Sequence, residues 1–275
     1  MRKTEQRILA VGCFDGVHLG HQAILRGASA ALTFRTHPLA VLAPSRAPRF
    51  VMTLAERIAA IKACGVGEVT ALDFTPALAA VSAADFAAEY LSADVIRCGA
   101  DWHFGAGGEG DADFLRAHGI AVEVVPYAVY AGGRISSSRI REALSRGEIE
   151  SANAMMGRNF TVHGVAFKGK GLGRRIGFPT LNLRLDGVSP ILPCGVYEVA
   201  VNGARGLANW GFAPTLGKQA WQEPVLELHF ADGVVPPISA QVEVSFVRFL
   251  RLERKFASLA DLQRQIAADC LMVLK

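Results

Sequence analysis

The first half of the chain alternates short apolar runs with segments whose apolar residues recur at helical spacing. The apolar runs predict β-strands at residues 8–11, 30–34, 68–72, 95–98 and 121–125. Residues 54–64 and 82–91 have the helical spacing, and the second segment opens with the capping pattern Ser-Ala-Ala-Asp. Strands that alternate with helices predict a parallel sheet, so we expect a Rossmann-like α/β domain here.

The pattern changes after two further predicted helices, at residues 136–144 and 148–156, the second of which stops at Gly157. Short strands separated by Gly and Pro clusters are then predicted at residues 161–167, 195–201, 225–230 and 242–250. A final helix begins at the capping pattern Ser-Leu-Ala-Asp, and Leu259, Leu262, Ile266 and Val273 can share its apolar face. We therefore predict two domains, residues 1–156 and 157–275, the second an antiparallel β-barrel with a terminal helix.

The composition agrees with two folded domains and excludes several classes of protein. The chain has 275 residues, more than a typical domain of roughly 100 to 200. A hydrophobic fraction of 51% and a charged fraction of 20% exclude a disordered chain. The net charge of +4 suits polyphosphate ligands but is too small to indicate nucleic-acid binding. No uncharged apolar stretch approaches the length of a membrane span, so no membrane partner is expected.

The five cysteines are odd in number and far apart, without the paired spacing of a zinc site or a disulfide framework. We therefore expect a reducing, cytoplasmic compartment. The apolar run at residues 8–11 is too short for the core of a signal peptide. For the assembly state we expect a monomer or weak self-association.

A glycine- and histidine-rich segment, residues 12–21 (GCFDGVHLGH), follows the first strand, where an open parallel sheet binds its ligand. Gly16 and Gly20 allow the backbone to approach a phosphate, and the helix that starts near Gly20 offers free amide donors. His18 and His21 are three residues apart, so both imidazoles can donate hydrogen bonds to the same phosphates. Such groups suit adenylyl transfer, in which pyrophosphate leaves ATP. The alternative is a pair of surface or metal-binding histidines, but no further ligand lies at suitable spacing.

A serine-rich segment, residues 135–141 (ISSSRIR), opens the later helix. The order of a glycine-rich turn, His-x-Gly-His and a distant Ile-Ser-Ser resembles the cytidylyltransferase-like nucleotidyltransferases. Ser137 and Arg141 then suit the β- and γ-phosphates. Taken alone, a serine-rich helix start is also an ordinary capping device.

A second glycine-rich segment, residues 169–182 (GKGLGRRIGFPTLN), resembles the signature of the riboflavin kinases. Thr180 and Asn182 supply oxygen ligands for a hard cation. Its glycines allow the backbone to approach a nucleotide, and the resemblance places Gly169, Gly173 and Gly177 at ATP. Residues 164–171 nearly spell a Walker loop, but Gly171 replaces the Ser or Thr that holds magnesium, so that interpretation is rejected.

The resemblance to riboflavin kinases continues through residues 195–197, 208–215, 226–229 and 250–256. It implies that Glu227 is the general base that accepts a proton from the terminal hydroxyl of riboflavin. It also implies that Mg²⁺ on Thr180 and Asn182 binds the ATP phosphates, and that Asn209 and Arg251 contact the flavin. Without the resemblance, Glu227 is an ordinary solvent-facing strand residue.

Together the two halves resemble the family of bacterial bifunctional riboflavin kinases and FMN adenylyltransferases. The resemblance implies riboflavin, FMN and ATP as substrates and Mg²⁺ as cofactor. It implies catalytic roles for His18, His21 and Arg141. It places these residues at the nucleotide: Gly12, Phe14, Asp15, Gly16, Gly20, His37, Asp101 and Ser137.

The sequence departs from the family pattern mainly in the first domain. The segment from Gln22 to Phe34 is shorter than expected by roughly ten residues, which leaves little room for a full helix and a return to the next strand. Thr36 stands where the family has proline, and residues 107–110 lack a basic residue. An alternative is therefore a riboflavin kinase whose first domain only binds nucleotide or supports the barrel. A third possibility is a carrier without turnover.

Overall fold

The computed structural model describes residues 6–167, 180–185, 191–212, 224–230 and 241–274. The chain forms two compact units, Met1–Ser137 and Ser138–Lys275. This division lies closer to the N-terminus than the predicted boundary after residue 156.

The first unit is built on a parallel sheet whose strands coincide with the predicted apolar runs. The strands are β1 (Ile8–Val11), β2 (Ala30–Phe34), β3 (Glu68–Leu72), β4 (Val95–Gly99) and β5 (Ala121–Val125). Their order in the sheet is β3-β2-β1-β4-β5, and every neighbouring pair is parallel. The predicted Rossmann-like sheet is confirmed, with β1 at its centre.

Short helices connect these strands. They are α1 (Leu19–Leu25), α2 (Leu39–Leu42), α3 (Leu54–Ala63), α4 (Pro76–Ala79), α5 (Ala83–Tyr90) and α6 (Ala112–Ala117), followed by a hairpin of β6 (Val129–Tyr130) and β7 (Gly133–Arg134). The expected shortage of room after β1 was wrong. Helix α1 needs only seven residues, and the chain then returns to pair Leu9 in parallel with Ala30.

The sheet is covered on both faces, as a parallel sheet requires. Leu9 and Val11 pack into a cluster with Ile96 and Phe104, whereas Ala10 belongs to a separate cluster. That second cluster contains Phe14, Leu25, Ala28 and Ile61. Alternate residues of β1 therefore anchor two cores, and the segment after β1 starts from a rigid base.

The second unit contains a closed antiparallel barrel and a terminal helix, which confirms the predicted architecture. After α7 (Ser137–Ser145) and α8 (Ile149–Met156), its elements are β8 (Phe160–Phe167), β9 (Thr180–Leu185), β10 (Gly195–Val201), β11 (Ala204–Gly211), β12 (Val225–Phe230), β13 (Gln241–Leu252) and α9 (Leu259–Leu274). The barrel order is β10-β11-β12-β9-β8-β13. Strands β9 and β11 were not predicted, because residues 169–182 and 208–215 were interpreted as motif segments, although Leu181, Leu183 and Leu185 alternate with polar residues in β9.

Helix α8 packs on the barrel, which explains why the second unit begins before residue 157. The amide of Asn153 donates to the carbonyl of Phe246 at 2.9 Å, and its Oδ1 accepts from the backbone N–H of Phe160 at 2.7 Å. Met155 and Met156 are buried. The Gly157 that ends this helix is a C-cap within the second unit and does not separate the units.

Helix α9 also packs on the barrel, as its apolar stripe predicts. Ile266, Cys270 and Val273 form a buried cluster with Val196 and Leu207. Leu259, which the stripe includes, is exposed at the start of the helix. No helix among the described residues combines the length and the apolar composition that crossing a bilayer requires.

Candidate active sites

The segment between β1 and α1 is a strained turn. Phe14 has a φ of +51° and Val17 a φ of +37°, a left-handed conformation that is rare for residues other than glycine. Each such residue costs on the order of 1–3 kcal/mol and persists only when its surroundings hold it in place. Strain of this kind is concentrated at binding and catalytic sites.

Side-chain hydrogen bonds to carbonyl groups hold the turn. The hydroxyl of Thr33, on the neighbouring strand β2, donates to the carbonyl of Cys13 at 2.9 Å. The amide of Gln22, on α1, donates to the carbonyl of Val17 at 2.9 Å. Both ends of the strained segment are therefore fixed by elements outside it.

Asp15, a predicted nucleotide contact, is enclosed within the fold and only 2% exposed. Its Oδ1 accepts from the backbone N–H of Val51 at 2.8 Å. Its carbonyl accepts from the hydroxyl of Ser137 at 2.9 Å, across 122 positions of sequence. This hydrogen bond places Ser137 of the serine-rich segment in direct contact with the glycine-rich turn, as expected if both bind the same ligand.

The two motif histidines stack against each other. Their ring centroids are 3.6 Å apart and the ring planes differ by 16°, while the rings of Phe14 and His21 meet edge to face with their centroids 5.4 Å apart. His18 caps α1, and its Nδ1 accepts from the backbone N–H of His21 at 3.3 Å. A neutral His18 that accepts at Nδ1 has its proton at Nε2, which is then a donor for an anion.

Two of the predicted glycines make room for aromatic rings. A Cβ on Gly12 would lie 3.2 Å from the ring of Phe14, and one on Gly20 would lie 3.2 Å from the ring of His18. Gly16 has a φ of +79°, which glycine adopts without strain. The glycines of the motif therefore allow the rings to pack closely and the backbone to turn.

Topology brings two further predicted residues to the same edge of the sheet. His37 follows β2 and Asp101 follows β4, the two neighbours of β1. The carboxyl ends of parallel strands meet at one edge, where α/β sheets bind ligands. There the Nδ1 of His37 accepts from the backbone N–H of Leu39 at 3.1 Å, and Asp101 pairs with Arg134 at 2.5 Å.

The remaining predicted phosphate ligand, Arg141, lies one turn along α7 from Ser137. Its guanidinium donates to the hydroxyl of Ser138 at 3.1 Å. Arg141 belongs to the second compact unit, whereas Ser137 is the last residue of the first.

The sequence interpretation missed Arg57, which is only 1% exposed. Its guanidinium donates to the carbonyls of Cys13 at 3.0 Å and Phe34 at 2.5 Å. Burial lowers the pKa of Arg57, and the nearby carboxylate of Asp15 opposes that shift. The available signal was its position on α3, three residues after Leu54 and four residues before Ile61, which places a charge in the apolar stripe of the helix.

In the barrel, three predicted residues lie in one cross-strand row. Glu227 on β12 stands directly opposite Asn182 on β9 and Asn209 on β11. Leu226 and Leu228, which flank Glu227, are buried, so the row projects from the opposite face of the sheet. Directly opposed residues have Cβ atoms about 4.5–5.5 Å apart, so the three side chains are neighbours.

The next pair on this face is Thr180 and His229. Desolvation lowers the pKa of His229, and the carboxylate of Glu227 opposes the shift, so the imidazole is neutral at pH 7. Thr180 and Asn182, two residues apart on β9, present hydroxyl and amide oxygens on one face. Together with the Glu227 carboxylate, this is a set of hard oxygen donors, the kind that Mg²⁺ prefers.

The predicted flavin contacts continue the row. Val196 pairs with both Asn209 and Arg251, and the amide of Asn209 donates to Glu253 at 3.0 Å. Arg251 forms an ion pair at 2.7 Å with Asp269, a buried residue of α9. Arg251 therefore connects the barrel wall to the terminal helix. Gly169, Gly173 and Gly177, the predicted ATP contacts of this half, lie outside the described residues.

Comparison with family models assigns each half of the chain. The model for FAD synthetase matches residues 1–139, and the model for riboflavin kinase matches residues 156–275. The two matches leave residues 140–155 between them, which includes most of α7 and α8.

Relatives with both halves align with nearly the whole chain. The bifunctional riboflavin kinase/FMN adenylyltransferase of Escherichia coli K12 is 34% identical, over 95% of this chain and 90% of the relative. The Bacillus subtilis protein of the same name is 32% identical, over 97% and 92%. A crystal structure from Streptococcus pneumoniae, described as a macrolide-efflux protein, is 28% identical, covers 99% of this chain and 95% of its own, and has a TM-score of 0.85.

Proposed function

Because the chain belongs to the bifunctional riboflavin kinase/FMN adenylyltransferase family, we propose that it phosphorylates riboflavin to FMN and then adenylylates FMN to FAD. The presence of both family domains favours two activities over a kinase alone. The observation that carries the proposal is that each half has its own polar site on a rigid sheet. We assign adenylylation to residues 1–156 and phosphorylation to residues 157–275.

In the adenylylation reaction, a phosphate oxygen of FMN attacks the α-phosphorus of ATP. The bond between the α-phosphorus and the oxygen that bridges to the β-phosphate breaks, and pyrophosphate leaves. The stacked His18 and His21 donate hydrogen bonds to the phosphates as charge develops on them. Ser137 and Arg141 bind the β- and γ-phosphates, while His37 and Asp101 line the nucleotide pocket at the edge of the sheet.

In the kinase reaction, the terminal hydroxyl of riboflavin attacks the γ-phosphorus of ATP, and ADP leaves. Glu227 accepts the hydroxyl proton, which orients the nucleophile. Its position opposite Asn182 supports this role, because the base must act beside the group that holds the phosphates. Asn209, on the other side of Glu227, contacts the flavin, and Arg251 is the second flavin contact that we propose.

The oxygen donors of β9 fit a magnesium ion. Thr180 and Asn182 would hold it, and Mg²⁺ usually completes such a site with water and substrate phosphates. When bound, the ion neutralises charge on the transferred phosphoryl group. We propose a cytoplasmic enzyme, supported by five cysteines that are all free thiols, with riboflavin, FMN and ATP as its small-molecule partners. A monomer or weak self-association is the assembly state that we propose.

The test is chromatographic separation of the products formed from riboflavin, ATP and Mg²⁺. We expect FMN to appear first and FAD to follow. His21→Ala should lower the rate of FAD formation by about 100-fold, because it removes a positioned donor, and should leave FMN formation unchanged. His118 is an exposed histidine at the C-cap of α6, and His118→Ala is the matched control. It should leave both rates within about twofold of wild type.

The outcomes separate the alternatives. FMN without any FAD would restrict the wild-type protein to kinase activity. The absence of both products would indicate a carrier. FAD formation at the wild-type rate in His21→Ala would exclude this histidine from the chemistry and leave the two activities in place.

A further inference from the structure

One carbonyl in the strained turn is held from two directions. The carbonyl of Cys13 accepts from the hydroxyl of Thr33 at 2.9 Å and from Nη1 of Arg57 at 3.0 Å. The next residue, Phe14, has the left-handed φ of +51°. Two donors on the preceding carbonyl fix the plane of the peptide that leads into this conformation.

The same guanidinium also fixes the segment that carries His37. Nη2 of Arg57 donates to the carbonyl of Phe34, the last residue of β2, at 2.5 Å. The guanidinium carbon lies 4.3 Å from the ring centroid of Phe50, which is 5.6 Å from the ring of His37. One side chain thus connects the carboxyl ends of two adjacent strands and supports the residues that follow both.

A charge in this position is costly to the fold. Arg57 and Asp15 are 1% and 2% exposed, so both charged groups have lost their water. An apolar side chain of similar size at a buried ionic position is often at least as stabilising. Core packing alone therefore does not account for a guanidinium here, whereas the orientation of two carbonyls at the edge of the sheet does.

We infer that Arg57 is a positioning residue for adenylyl transfer: it holds the turn of His18 and His21 and the segment of His37 in one geometry. The inference rests on the proposed adenylylation activity. Arg57 does not touch the reacting atoms in this role. Its effect is to keep the turn in the strained conformation that aims the imidazoles, and a misplacement of about 1 Å can cost 100-fold in rate.

The test compares Arg57→Met, Arg57→Lys and Thr33→Val with the control Lys62→Met, an exposed residue of the same helix. Adenylylation of supplied FMN is measured as kcat and as KM for ATP and FMN. We expect Arg57→Met to lower kcat by about 10- to 100-fold with each KM within about threefold, because alignment and not ground-state binding is lost. Arg57→Lys, which can reach one carbonyl but not both, should lower kcat less than Arg57→Met does. Thr33→Val should lower kcat by about threefold, and Lys62→Met should have no effect.

Retained KM values for ATP and FMN show that the first unit is folded, and riboflavin kinase activity, whose site lies in the other unit, measures the amount of intact second unit. A loss of adenylylation kcat with the KM values and kinase activity retained supports the inference. If Arg57→Met loses both activities, Thr33→Val decides: selective loss of adenylylation supports the inference, and an unchanged rate overturns it. Wild-type kcat in Arg57→Met overturns it as well, even if the variant melts earlier. Absence of FAD from the wild type would refute the proposed adenylylation itself.

Discussion

The two sites of this chain are built in different ways. The first is a strained turn within residues 12–21, whose backbone is held by side chains from β2, α1 and Ser137. The second is a row of side chains on β9, β12 and β11, where strand pairing sets the positions. The first site therefore depends on residues outside its motif, whereas regular sheet hydrogen bonds support the second.

Backbone conformation shows the same contrast. Phe14 and Val17 lie within the first site with positive φ. Among the described residues of the second unit, the non-glycine residue with positive φ is Asn202, in the hairpin between β10 and β11. We expect substitutions that support the turn to act on catalysis from a distance, and substitutions in the barrel to act mainly where they touch substrate.

The largest expected effect in the barrel is that of Glu227→Gln. This change keeps the shape of the side chain and removes the base, so the kinase kcat should fall by about 100-fold or more. Adenylylation of supplied FMN should continue at the wild-type rate, which is measured in the same preparation. Unchanged FMN production would exclude Glu227 as the base and would weaken the assignment of the row to the chemistry.

Asn182→Ala tests the neighbouring oxygen donor. Loss of one ligand should raise the Mg²⁺ concentration for half-maximal kinase activity by about tenfold, equivalent to about 1.4 kcal/mol. The Mg²⁺ dependence of adenylylation is the internal control and should not change. An identical Mg²⁺ titration of the kinase reaction in the variant would remove Asn182 from the metal site.

The smallest expected effect is on stability and concerns the ion pairs of a buried glutamate in the barrel. Glu198 on β10, with its side chain 4% exposed, accepts from Arg205 at 2.7 Å and from Arg248 at 2.6 Å. Glu198→Gln should lower the free energy of unfolding by about 1 kcal/mol, because both arginines are partly exposed and their attraction is screened. Urea denaturation followed by tryptophan fluorescence measures this change.

Glu243→Gln is the matched control for that measurement. Glu243 is an exposed strand residue whose carboxylate lies 3.3 Å from His163. Its substitution should change the free energy of unfolding by less than about 0.5 kcal/mol. Equal losses in the two variants would show that the buried position of Glu198 gives it no special role in the barrel.

The regular parts of the fold were predictable because their patterns are local. The five parallel strands lie where apolar runs predict them, and α3 begins at Leu54, as its apolar spacing predicts, with Thr53 as the N-cap of a full capping box. Strands β9 and β11 were missed because their residues were interpreted as motif segments, although Leu181, Leu183 and Leu185 alternate with polar residues in β9. The polar positions of these two strands include the candidate site residues Asn182 and Asn209.

The sequence by itself determined the two domains, their order along the chain and the motif in which His18 and His21 are neighbours. These features depend on contiguous residues, whose dihedral and hydrogen-bonding preferences act locally. Tertiary structure alone decided that the hydroxyl of Ser137 donates to the carbonyl of Asp15 and that Arg57 donates to the carbonyl of Cys13. It also decided that Glu227 stands opposite Asn182 in the barrel. Those contacts depend on strand order, register and packing, which are set by the free energy of the whole fold and not by any one segment.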